Sequence, residues 1–129
     1  MTNFEKVSKW VLENYDVEVD LGQMTCFTGH ETKFIFIHHN FNLEKNGLFA
    51  LLHEVGHAMQ ESYEENQFGA NRYKKVCDLD HPKKFKMLQF MNEVNAWDNG
   101  LALAKELGIQ IDMKAWTKAK EEALMTYYV

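Results

Sequence analysis

The feature that most constrains the fold of this chain is a set of apolar residues that recur every three or four positions. They are Leu48, Leu51, Leu52, Val55 and Met59. This spacing predicts an α-helix, from about Leu43 to Ser62, with one face buried in the core. The sequence His53-Glu54-Val55-Gly56-His57 lies in the middle of that helix. The fold must therefore bring two histidines and a glutamate to the centre of the molecule.

The spacing of this motif predicts a metal site. His53 and His57 are four positions apart, so both imidazoles project from one helix face, about 6 Å apart along the axis. The Glu54 side chain projects from the helix beside His53, so its carboxylate can reach a water bound to the same ion. H-E-x-x-H on a helix is a short signature of zinc binding with the glutamate as general base. The alternative is an accidental motif in a helical interaction protein, with both histidines satisfied by hydrogen bonds.

Two histidines alone hold zinc loosely, so the motif calls for a third protein ligand. Glu61 lies about 12 Å from His53 along the helix axis, which is too far to share an ion. The metzincin pattern needs a glycine and a further histidine where this chain has Gln60 and Tyr63, which excludes that class.

Four candidates for the third ligand remain. Asp78, Asp80 and His81 follow the motif in a polar segment. Glu93 is favoured because it lies inside a long predicted helix, and a rigid helix holds a ligand more accurately than a loop. The small residues Ala96 and Gly56 also favour a close approach between that helix and the motif helix.

Size and charge limit the class of protein. We expect the 129 residues to form a single domain, residues 1–129, and 46% apolar content is sufficient for a core. The net charge of −5 argues against nucleic acid as the main partner. The sequence contains neither a recognisable signal peptide nor a membrane-length apolar run, so we expect no membrane association and a cytoplasmic location. The sequence leaves the oligomeric state open.

The rest of the chain predicts an α+β fold with a small three-stranded mixed sheet. Thr2 with Glu5 forms a capping box that begins a helix at residues 3–15. Strand patterns follow at residues 17–19, 24–28 and 33–39. The polar sequence of residues 64–69, which ends in a glycine, predicts a loop. A long helix extends from Pro82 to about Leu107 and ends at Gly108, and Asp112 caps a last helix.

Two segments resemble a known family. Residues 34–60, a strand followed by Leu51-Leu52-His53-Glu54-Val55-Gly56-His57-Ala58, resemble zincin metallopeptidases. Residues 93–109, beginning Glu93-Val94-Asn95-Ala96-Trp97, resemble the glutamate helix of small gluzincins. Together the two segments resemble the ImmA/IrrE-like family of bacterial and phage metallopeptidases. The resemblance implies His53, His57 and Glu93 as zinc ligands, Glu54 as general base, and a sheet over the metal helix with an edge strand that binds an extended peptide.

Larger gluzincins have Asp where Trp97 stands here, so Asn95 and Asp98 become the candidates for supporting the histidines.

The favoured hypothesis is a zinc-dependent peptidase acting on a peptide or protein substrate. A donor for the oxyanion is expected among Tyr63, Tyr73, His81, Tyr127 and Tyr128. The strand at residues 34–38 is predicted to pair with substrate backbone. His38 and His39 either line the cleft or are ordinary polar residues at a strand end. The rival hypothesis is a zinc-binding interaction or regulatory protein without proteolytic turnover.

Overall fold

The computed structural model describes residues 1–29, 33–68 and 82–127. Its elements in chain order are α1 (Asn3–Tyr15), β1 (Glu18–Gly22), β2 (Cys26–Gly29), β3 (Lys33–His38), α2 (Asn46–Phe68), α3 (Pro82–Glu106) and α4 (Met113–Met125). The four helices and the small sheet of the described residues make this an α+β protein, as the sequence predicted. None of the described helices has both the length and the apolar character needed to cross a membrane.

The helix boundaries follow from local capping chemistry. Thr2 and Glu5 form the predicted capping box of α1. The Asp112 side chain accepts hydrogen bonds from two backbone N–H groups at the start of α4. Gly108 adopts a φ of 71° just beyond α3, the left-handed conformation that favours glycine after a helix. Such signals are local, and the sequence alone was enough to find them.

The sheet has the order β1-β3-β2. β1 pairs parallel to β3 with Glu18 opposite Phe34, and β2 pairs antiparallel to β3 with Cys26 opposite Phe36. β3 is therefore the central strand, and both of its edges are hydrogen-bonded. The prediction that residues 34–38 pair with substrate backbone is wrong for this reason. The edges of the sheet are β1 and β2.

The core lies between the sheet and α2. Ile35 and Ile37 of β3 are fully buried, whereas Phe34 and Phe36 on the opposite face are partly exposed and stack at 5.8 Å between ring centroids. α2 contacts β2, β3 and α1. The main buried residues of α1 and α2 are Val7, Val11, Leu48, Leu51, Leu52 and Val55. The apolar face predicted for the motif helix is thus the face that is buried.

Two glycines let α2 and α3 cross at very short range. A Cβ on Gly56 would lie 1.9 Å from the backbone oxygen of Ala96, and a Cβ on Gly100 would lie 2.4 Å from that of Leu52. The predicted approach of Gly56 to Ala96 is confirmed, and the matching role of Gly100 was not predicted. Because backbone atoms meet here, the crossing fixes the relative position of the two helices.

Both boundaries of α2 differ from the prediction: the helix begins at Asn46 and not at about Leu43, and its end differs more. The helix extends through Phe68, so the predicted loop is wrong for residues 64–68. The polar sequence Glu64-Glu65-Asn66-Gln67 lacks a proline, and its glutamate and glutamine residues tolerate a helix well. Polarity alone did not distinguish a polar helix end from a loop.

Candidate metal centre

The α2–α3 crossing brings three donor atoms together. His53 Nε2 lies 2.8 Å from Glu93 Oε2, and His57 Nε2 lies 3.0 Å from the same oxygen. The two imidazole Nε2 atoms are 3.1 Å apart. Each of the three residues is only partly exposed. Among the described residues, this is the one group of His, Cys, Asp or Glu side chains arranged to hold a metal ion.

The donor set fits a divalent metal cation. Zinc prefers imidazole and carboxylate ligands at about 2.0–2.1 Å in a tetrahedral arrangement, which puts donor atoms roughly 3.3 Å apart. The three observed separations, 2.8 to 3.1 Å, fall a few tenths of an ångström below that value. Three donors leave a fourth tetrahedral place for a further ligand. Because other divalent ions accept the same donors, the geometry supports a metal site without selecting the metal.

The electrostatics of the group favour positive charge between the donors. Burial raises the pKa of Glu93. The hydrogen bonds from His53 and His57, together with the positive charge of these histidines, outweigh the effect of burial and hold the pKa of Glu93 far below its usual value. Burial lowers the pKa of His57. The hydrogen bond to Glu93 and the negative charge of Glu93 outweigh the effect of burial and raise the pKa of His57 above its usual value. Both shifts have the sign expected where a positive charge is stabilised among the donor atoms.

Glu54 is the buried carboxylate beside this group. It is 8% exposed, and its Oε1 lies 3.7 Å from His53 Nδ1, which is too long for a hydrogen bond. Burial raises the pKa of Glu54, and the Glu93 charge raises it further, while His53 and His57 lower it. Glu54 thus lies within electrostatic reach of all three donor residues but is not one of the converging donors.

Aromatic rings support the first histidine. The Trp97 ring stacks on the His53 imidazole at 4.6 Å between centroids with an interplanar angle of 13°. Trp116 of α4 packs edge-on against Trp97 at 4.9 Å. Trp97 therefore supports His53 by ring packing. Of the two supporting residues suggested by the sequence, Asp98 instead accepts a hydrogen bond from Lys120, and Asn95 is exposed.

The structure places the other predicted site residues as follows. His38 is the last residue of β3 and His39 follows it; both contact backbone groups, in agreement with the interpretation as strand-end residues. Asp78, Asp80, His81, Tyr73 and Tyr128 lie outside the described residues, as does the side chain of Tyr63. Among the described residues, Glu93 is the candidate third ligand that meets both histidines.

Two neighbours of the site were not assigned these roles from sequence. Gln60 Nε2 donates a hydrogen bond to the backbone oxygen of Asn92 at 2.9 Å, which ties α2 to α3 beside Glu93. The Tyr127 hydroxyl donates to Glu93 Oε1 at 3.1 Å. Gln60 lies three residues after His57 on the same helix, a spacing that was available as a signal. Tyr127 was one of five oxyanion candidates, and no sequence signal distinguished it from the others.

Comparison with known proteins adds no relative: no family model, curated protein or solved structure matches this chain.

Proposed function

We propose that this chain is a zinc-dependent peptidase of the gluzincin type, similar to the ImmA/IrrE-like metallopeptidases. In this proposal His53, His57 and Glu93 hold the cation, and Glu54 is the general base. The observation that carries the proposal is the convergence of the three donor atoms within 3.1 Å of one another beside the buried carboxylate of Glu54.

The position of Glu54 supports a catalytic site over a purely structural metal site. Structural zinc sites usually have four protein ligands, whereas catalytic sites have three and keep one place open. Only three described donors meet at this centre. A structural ion also has no need of a buried carboxylate next to its ligands, and burying one costs free energy. Peptide hydrolysis at an H-E-x-x-H site uses such an adjacent carboxylate as its general base.

The chemistry divides between the cation and the protein. A bound zinc ion would act as a Lewis acid towards water and the peptide carbonyl. Glu54 would take a proton from the attacking water onto its carboxylate and deliver it to the leaving amine. Trp97 holds the His53 ring in place by stacking, and the α2–α3 crossing holds Glu93 against both imidazoles.

A substrate strand is proposed to pair with β2. β2 is an edge of the sheet, contacts α2, which carries the motif, and runs antiparallel to β3. An extended peptide gains backbone hydrogen bonds by adding to such an edge, whichever side chains it carries. Pairing at β2 takes the place of the pairing first expected at residues 34–38.

The test compares wild type with Glu54→Gln, using zinc-loaded protein and a quenched-fluorescent peptide library. The amide keeps the shape of the side chain but cannot accept the proton. We expect zinc content to be unchanged and hydrolysis to fall by about 10²- to 10⁴-fold. The matched control is Glu13→Gln on α1, an exposed carboxylate paired with Lys9, and it should hydrolyse peptides like wild type.

Two outcomes would contradict the proposal. Undiminished hydrolysis by Glu54→Gln would remove Glu54 from the reaction. A wild-type protein that binds stoichiometric zinc but cleaves no peptide would favour the rival function, a zinc-binding interaction protein.

A further inference from the structure

The side chain of Tyr127 reaches the metal centre from the carboxyl-terminal end of the chain. Its hydroxyl donates to Glu93 Oε1 at 3.1 Å. The other oxygen of that carboxylate, Oε2, is the atom that contacts both His53 Nε2 and His57 Nε2. The two oxygens of Glu93 therefore have different partners.

A tight turn at the end of α4 fixes the backbone at Tyr127. The Tyr127 N–H donates to the backbone oxygen of Leu124 at 3.0 Å. The Thr126 hydroxyl donates to the backbone oxygen of Ala123 at 2.7 Å. These bonds hold the turn against the last residues of α4, so the phenol extends from a defined position although 39% of the residue is exposed.

Two contacts fix α4 against α3. Trp116 is buried and packs on Trp97, which itself stacks on His53. One turn further along α4, Lys120 forms an ion pair with Asp98 at 3.0 Å. Because α4 is fixed against α3, which carries Glu93, the turn that follows α4 holds Tyr127 within hydrogen-bonding distance of that carboxylate.

We propose that Tyr127 is a positioning residue that restricts Glu93 to metal coordination through Oε2 alone. The inference rests on the metal site of the proposed function. A carboxylate binds a cation through one or both oxygens, and hydrogen bonds to the outer oxygen orient the ligand and set its basicity. With Oε1 held by the hydroxyl, the second oxygen does not take the place that the substrate water needs.

The experiment removes this hydroxyl with Tyr127→Phe, which keeps the ring. Zinc affinity is measured by competition with a chromogenic chelator, and the coordination of bound Co²⁺ is followed by its visible absorption spectrum. We expect zinc affinity to fall about tenfold. We also expect weaker Co²⁺ absorption, because the freed oxygen raises the coordination number. Tyr15→Phe, a hydroxyl removed from α1, is the matched control and should resemble wild type in both measurements.

The outcomes separate this inference from the proposed function. If wild type binds Co²⁺ and Tyr127→Phe has the same affinity and spectrum, the Tyr127 inference fails and the metal site stands. A lower affinity with an unchanged spectrum would make Tyr127 a merely structural residue and would also overturn the inference. If wild type binds neither zinc nor Co²⁺, both proposals fail. Thermal unfolding of the metal-free variants establishes that each one is folded.

Discussion

Two pairs of histidines among the described residues lie in contact, and their ring nitrogens have different partners. His53 and His57 on α2 direct their Nε2 atoms at each other and at Glu93. His38 and His39 at the end of β3 stack their rings at 4.8 Å. His38 Nδ1 accepts from the Asn40 N–H, and His39 Nδ1 lies 3.0 Å from the backbone oxygen of Gly22.

The difference shows what turns a histidine pair into a candidate metal site. Both pairs have imidazoles in contact, so proximity alone does not distinguish them. Helical spacing of four places His53 and His57 on one face, and a second helix brings a carboxylate to that face. The Nδ1 atoms of the strand-end pair interact with backbone groups, and no described carboxylate joins the pair in a metal-type cluster.

The largest expected effect comes from breaking the crossing that supports the helical pair. In Gly56→Ala the new Cβ would meet the Ala96 backbone oxygen at 1.9 Å, so the helices must separate. We expect the free energy of unfolding to fall by about 3 kcal/mol or more, and zinc affinity to fall with it because Glu93 moves away from the imidazoles. Urea denaturation and chelator competition measure the two effects.

Gly22→Ala in β1 is the control for this substitution. The three heavy atoms nearest to its Cβ would all belong to the Phe36 side chain, at 3.4 Å or beyond, which is ordinary van der Waals contact. Its unfolding free energy should stay within about 0.5 kcal/mol of wild type. Equal destabilisation by both substitutions would contradict the special role of the crossing.

The next largest effect is expected when one histidine is removed from each of the two pairs and the zinc affinities of the variants are compared. His53→Ala should lower zinc affinity at least about a hundredfold, because structural zinc sites gain roughly 10–16 kcal/mol from about four ligands. His38→Ala should bind zinc like wild type, since its ring belongs to the strand-end pair. Isothermal titration calorimetry compares the two variants. A comparable loss in both would mean that the strand-end pair also binds the ion.

The smallest effect on stability and zinc affinity is expected from a substitution at the exposed edge of the α3–α4 contact. Asp98→Ala removes the exposed ion pair with Lys120. Such pairs contribute about 0 to 1 kcal/mol, so the unfolding free energy should change by less than about 1 kcal/mol and zinc affinity should be unchanged. A large loss of zinc affinity, measured by chelator competition, would show that Asp98 supports the histidines after all.

The sequence predicted those parts of the fold that depend on local chemistry. The cap residues Thr2 and Asp112, the glycine at 108 and the helical repeat around His53 each act within a few residues, and the structure agrees with each. The approach of Gly56 to Ala96 was also predictable, because an unfavourable glycine inside a buried helix requires a packing reason.

Features that depend on tertiary contacts were not predictable in the same way. The pairing of β3 on both edges depends on where two other strands lie, and its own sequence does not contain that information. The hydrogen bond from Tyr127 to Glu93 depends on the packing of α4 against α3. The stacking of Trp97 on His53 likewise required the crossing angle of two helices.

The measurement that tests the central claim most directly is a crystal structure of the untreated protein with anomalous scattering at the zinc edge, supported by elemental analysis. We expect one zinc ion per chain, bound by Nε2 of His53, Nε2 of His57 and Glu93, with the remaining place taken by solvent. A protein without stoichiometric metal, an ion far from Glu93, or a fourth protein side chain closing the site would contradict the account.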